Sequence, residues 1–171
     1  MAGRRRPVCA ARVAALTVLG LTVLGLAPTP GIALPAPKTA EQLVADSDLV
    51  GRVRVLGVAC TGFVASSEDG RPAELPVYAA WLEVLAATKA PPRAAHATVL
   101  VTWQEIPKAL LGPWVVRYYP GEEVATHLKW DAGSRAYVTT WWNAKGAPLH
   151  PVPEVLPSAP GQVMFATPAP R

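Results

Sequence analysis

The chain is poor in the residues that most chemistry needs. It has two cysteines and three histidines in 171 residues, and only 16% of its residues are charged. Cys9 lies in the arginine-rich first segment, so Cys60 is the one thiol in the rest of the chain. A single thiol cannot close an intramolecular disulfide, which excludes a disulfide-stapled scaffold. Its ordinary role is that of a small buried apolar residue. His96, His127 and His150 stand far apart in sequence. No His-x-His or His-x-x-x-His pair and no thiolate pair is available, so no metal site and no cofactor is expected. No serine sits in Gly-x-Ser-x-Gly, and no glycine-rich phosphate loop of either common type occurs. Glu122 and Glu123 are adjacent, and neighbours on a strand point to opposite faces, so they cannot act together on one bond.

Long apolar runs are also missing, with one near-exception. Residues 1–12 carry Arg4, Arg5, Arg6 and Arg12 and no acid. A run of apolar and small residues follows from Val13 to Ala27, then Pro28, Pro30 and Gly31-Ile32-Ala33. The run falls short of the roughly 20 residues that cross a bilayer as a helix. A basic start, a short apolar stretch and a small-x-small site describe a secretory signal peptide, with cleavage expected after Ala33. The arginine cluster raises twin-arginine export as an alternative to ordinary secretion. Either route places the protein outside the cytoplasm, extracellular or periplasmic.

Without the leader the electrostatics change. The full chain has 16 basic and 12 acidic residues. Removing the four leader arginines leaves equal numbers, so the rest is formally neutral and offers no footprint for nucleic acid. Membrane contact is then expected only through the signal peptide before cleavage.

What remains is rich in tryptophan: all six, with the tyrosines and phenylalanines, follow residue 33. Aromatic and β-branched residues favour a sheet. Thr39 before Ala40-Glu41-Gln42 is a capping-box pattern, predicting a short helix ending near Asp46. Leu49–Val58 alternates valines with Arg52 and Arg54 and predicts a first strand. Residues 66–76 read as a polar loop with the turn pair Asp69-Gly70. Further strands are predicted over residues 77–87, 97–105 and 114–119. Residues 122–130 and 135–142 flank Asp131-Ala132-Gly133-Ser134 and predict a hairpin. Val124, Thr126, Leu128 and Trp130 share one face of its first strand and oppose Glu123, Ala125, His127 and Lys129. If the face with Trp130 is the core, one of Trp141 and Trp142 lies on the opposite, more polar side. Residues 148–171 hold seven prolines and no sustained period. They predict an extended or disordered tail, with Val163, Met164 and Phe165 able to lie against the domain.

The expected organisation is therefore a signal peptide over residues 1–33, a β-barrel domain over 34–147 and a proline-rich tail over 148–171. The fold class is mainly β: a small antiparallel OB-like barrel or sandwich of about five to six strands with one short N-terminal helix.

Ala45-Asp46-Ser47-Asp48-Leu49-Val50, then Leu82-Glu83-Val84-Leu85, then Pro120-Gly121-Glu122 resemble a group of uncharacterised exported bacterial proteins. That group is similar to the five-stranded OB-type barrel of tissue inhibitors of metalloproteinases and netrin modules. The resemblance spans about residues 39–142 and implies a barrel. Two departures limit it. Thr88-Lys89-Ala90 replaces the Lys-Gly expected after the second strand, and residue 34 onward begins without the cysteine by which such inhibitors grip a catalytic zinc.

The remaining feature with the makings of a site is aromatic. Trp114, Arg117, Tyr119, His127, Trp141 and Trp142 are the candidate binding surface, tryptophan and tyrosine beside cationic side chains. Core packing is the competing explanation for those rings. The functional expectation is a secreted, non-catalytic β domain that binds a protein, peptide or glycan. The alternatives are a small extracellular hydrolase using Cys60 with His96 or His127, and a structural envelope accessory protein.

Overall fold

The structure, a computed structural model, describes residues 35–68, 70–107 and 114–167. Residues 1–33, over which a signal peptide is expected, lie outside the described residues, as does Asp69. Helix α1 spans Ala40–Asp46. The capping box forms as the sequence predicts: Gln42 N–H donates to Thr39 Oγ1 at 3.3 Å, and Thr39 N–H donates to Gln42 Oε1 at 2.9 Å. Two of the free donors at the helix start are thereby satisfied. Leu43 buries its side chain, and Ser47 closes the helix by donating its hydroxyl to the Leu43 carbonyl.

Six strands follow: β1 Leu49–Glu68, β2 Arg71–Lys89, β3 Thr98–Gln104, β4 Glu123–Asp131, β5 Ala136–Thr139 and β6 Val163–Phe165. Strand β1 is paired along its whole length with β2. Its opposite edge takes β4 over Leu49–Arg54 and β6 over Gly57–Ala59. Strand β3 pairs β2, and β5 lies between β3 and β4. Five strands thus close a ring in the order β1-β2-β3-β5-β4-β1, with β6 added outside it. The fold is mainly β, a six-strand mixed sheet in which five strands form a ring, with one short N-terminal helix.

The long β1–β2 pair bends as the ring closes. Register shifts interrupt the pairing of β1 with β2 at four places between Val50 and Gly62. The extra residue lies in β2 at the first two, Thr88 and Leu85, and in β1 at the other two, Leu56 and Thr61, so both strands bend and twist more strongly there. At Gly51 the two backbones approach so closely that an added Cβ would collide with the Ala86 carbonyl. The ring interior is filled by Leu49, Val53, Val55, Leu82, Val101, Val124 and Leu128, all buried.

Four expectations change. Residues 66–76 are not a loop: the strands run on to Glu68 and Arg71 around a turn with Gly70 at φ 74°. Backbone pairing needs no apolar side chain, so polar content did not end the strands. Residues 114–119 form no strand, because β5 occupies the inner edges of both β3 and β4, and β2 and β1 occupy the outer ones. The ring is not wholly antiparallel, since β3 and β5 meet in parallel through Val101 and Tyr137. Trp130 is 47% exposed and not part of the core. It sits near the end of β4, where Tyr137 turns inward instead and meets the indole edge-on at 5.2 Å.

The proline-rich segment is extended and docked over its described length. Leu149 N–H bonds to the Glu123 carbonyl, Pro157 is fully buried, and Ala166 N–H bonds to the Leu56 carbonyl. Val163, Met164 and Phe165 are the residues that pair with β1.

Candidate functional site

β3 and β5 share one backbone pair, Val101 with Tyr137, and a cleft of about 480 Å³ lies beside Thr102–Gln104 and Val138–Trp142. The irregular segment 114–116 and Pro35 complete its wall. Four of the six tryptophans line it: Trp103, Trp114, Trp141 and Trp142. Ile106, Val115 and Val116 add apolar surface.

The tryptophans are held by different means. Trp103 stacks on Tyr78 at 5.2 Å and tilts against Tyr118 at 5.8 Å. Its indole nitrogen is buried without a hydrogen-bond partner among the described residues. Trp141 donates its indole N–H to the Ala36 carbonyl and Trp142 to the Pro35 carbonyl, both at 3.2 Å. Asn143 continues the clamp, accepting from Lys38 N–H and donating to the Lys38 carbonyl. Lys38 places its ammonium 4.6 Å from the Trp141 ring centroid while pairing with Asp46 at 2.6 Å. That pair holds the Asp46 carboxyl below its ordinary range.

Beneath this lies a polar knot. Tyr118 is fully buried, its hydroxyl 2.7 Å from Thr126 Oγ1 and 3.2 Å from Thr139 Oγ1. Desolvation pushes its pKa up to about 12, although both hydrogen bonds oppose the shift. Lys145 pairs with buried Glu122 at 2.6 Å and donates to the Arg117 carbonyl at 2.6 Å. Its ammonium lies 5.2 Å and 5.5 Å from the Tyr118 and Tyr119 ring centroids.

The candidate binding residues therefore divide. Trp114, Trp141 and Trp142 come together on the cleft. Arg117 is committed to a two-point pair with Glu105, whose hydrogen bonds raise the guanidinium pKa further. Tyr119 is half-buried against Lys145, its N–H donated to Glu122, and burial raises its pKa. His127 is elsewhere. It sits opposite Val50 on β1, with Nδ1 3.2 Å from the Ala144 carbonyl, beside a separate shallow pocket that Ala86 and Thr88 also line. Trp103 shares the face of Val99 and Val101 on β3, and alternation along a strand does not show that this face opens into a cleft at its end.

Cys60 is buried on β1, with Sγ 3.7 Å from the Gly62 carbonyl. The register sets His127 opposite Val50, ten residues along β1 from Cys60, and no contact joins the two side chains among the described residues. Among the described residues no group of three histidine, cysteine or carboxylate side chains could hold a metal ion, and no helix is long and apolar enough to cross a membrane. The chain matches no protein-family model, no curated protein and no solved structure.

Proposed function

We propose that this chain is an exported, non-catalytic binding domain that takes an extracellular protein, peptide or glycan in the tryptophan cleft. The observation that carries the proposal is the gathering of four tryptophans on one cleft wall. Binding pockets are concave and mostly apolar, with a few fixed polar groups, and aromatic rings dominate binding energetics. Tryptophans needed only for packing would be shut inside the ring, whereas Trp141 and Trp142 are half-exposed outside it. Export is supported by the basic start, the short apolar run and Gly31-Ile32-Ala33. The five-strand ring is compatible with the resemblance to exported OB-type proteins.

Two measurements test the proposal. Intrinsic tryptophan fluorescence is screened against peptides and oligosaccharides, with Trp114→Ala as the comparison. A bound ligand quenches the emission, and Trp114→Ala weakens binding by about tenfold, the ordinary scale for a central aromatic contact. Ligands that bind both forms equally place the site elsewhere and defeat the proposal. For export, the N-terminus of protein recovered outside the cells is expected near Leu34; an uncut chain confined to the cytoplasm refutes it.

A further inference from the structure

We infer that two copies of this chain pair through the free edge of β1, over Phe63–Ser67, an inference independent of the tryptophan cleft. The β1–β2 pair runs on past the ring. Strand β3 accompanies β2 only as far as Pro76, whose carbonyl accepts from Glu105 N–H. On the other side β6 covers β1 over Gly57–Ala59. The tail adds one contact more, with Cys60 N–H bonded to the Gln162 carbonyl and Gly161 N–H to the Cys60 carbonyl, and turns at Gly161 with φ 79°. Residues 62–68 and 71–75 are left as a two-stranded ribbon, with no strand on either outer edge among the described residues. A two-stranded ribbon is marginal by itself.

Its two edges are built differently. The Pro76 carbonyl faces β3, so by alternation Glu74 and Pro72 also direct their backbone groups away from β1. Their partners across the ribbon, Phe63, Ala65 and Ser67, direct theirs away from β2. The β2 edge thus presents two prolines without N–H and a charged glutamate, the ordinary protections of a sheet edge. The β1 edge has neither protection. Thr61–Ser67 holds no proline and no charge. Phe63, Ala65 and Ser67 are exposed, Phe63 to 42%. A row of backbone donors and acceptors of that kind is a template for another strand. One open edge beside one blocked edge then sets the partner. Two copies joined antiparallel by their β1 edges leave only the proline-bearing edges of the ribbons outside, so the assembly closes as a two-fold pair and does not grow into a fibre. Centred on Ala65, the pairing sets Ala65 opposite itself and Phe63 opposite Ser67 of the other copy. Large side chains then face small ones, and no like charges meet.

The test measures the mass of the full chain by sedimentation over a range of concentrations, with amide hydrogen exchange at both ends of the range. Pairing over so short a span is a small contact, below the roughly 1,200 Å² of stable assemblies, so monomer and dimer should interconvert with concentration. The amides of Phe63, Ala65 and Ser67 should gain protection as the dimer forms. Those of Val64 and Ser66, directed at β2, should be protected throughout. Ala65→Pro removes the central donor and leaves the bonds to β2 in place, and should weaken dimerisation by about tenfold or more. Ala65→Lys keeps the N–H but sets two like charges opposite each other, and should weaken it as well. The lysine variant guards against a folding defect in the proline one. A chain that stays monomeric, with those three amides unprotected, overturns the inference. A dimer that Ala65→Lys leaves as tight as before uses another surface and also overturns it. If the three amides are protected only by an added strand-forming peptide of alternating valine and threonine, the edge takes a foreign strand and the second copy is refuted.

Discussion

Two buried polar groups show how little a side chain's chemistry says about its place. Tyr118 is completely enclosed, and its pKa is raised to about 12 from an ordinary 10. A group whose folded pKa is raised contributes stability that is intact below its unfolded pKa and is lost as pH climbs toward the folded one. Stability should therefore hold to about pH 10 and decline from there to about pH 12, followed by circular dichroism with tyrosinate absorbance. Tyr118→Phe should remove most of that alkaline loss. At neutral pH it should cost about 1–3 kcal/mol, because the Thr126 hydroxyl, also buried, loses a partner. Glu122 and Lys145 make a second case, with side chains 2% and 12% exposed. Glu122→Gln leaves a buried ammonium without its counter-charge and should cost about 3 kcal/mol in denaturant unfolding. Glu122→Leu combined with Lys145→Met should cost much less, since both charges are removed together. Neither residue looked like part of a core in the sequence. Glu122 follows a Pro-Gly turn and Lys145 lies past β5, and only the chain's return at 143–146 brings them into contact.

At the level of elements, β6 depends on a missing side chain. An added Cβ at Gly57 would press on the Phe165 ring and the Met164 carbonyl, so glycine there lets the tail lie flat on β1. Gly57→Ala should detach the tail while the five-strand ring survives. Hydrogen exchange is the check: the amides of Ala166 and Cys60, bonded to Leu56 and Gln162 carbonyls, should lose protection while those of β2 and β3 keep theirs. Protection lost equally throughout would mean that β6 is integral to the ring. The helix and the hairpin were legible in the sequence because their signals are local. Thr39 with Gln42 makes a cap within one turn, and the Asp131 carboxylate accepts from Gly133 and Ser134 N–H inside the turn that joins β4 to β5. Residues 114–119 misled because an alternating pattern says nothing about whether a sheet edge is free to receive it.

Across the whole molecule, the sequence by itself determined the β character, the position of the one helix, the inward valines of β1 and the docking residues of the tail. It also showed the shortage of thiol and histidine that left aromatic contacts as the strongest candidate chemistry. Each of these follows from neighbours a few residues apart, through period-two alternation, capping or composition. Tertiary structure alone decided which strands share edges, and so that β3 and β5 lie side by side in parallel. The cleft beside them gathers Trp103, Trp114, Trp141 and Trp142 from three separate stretches of chain. Tertiary structure also sends His127 to another face. Alternation assigns a residue to one side of a strand, but where along the ring that side is closed depends on pairings between residues far apart in sequence.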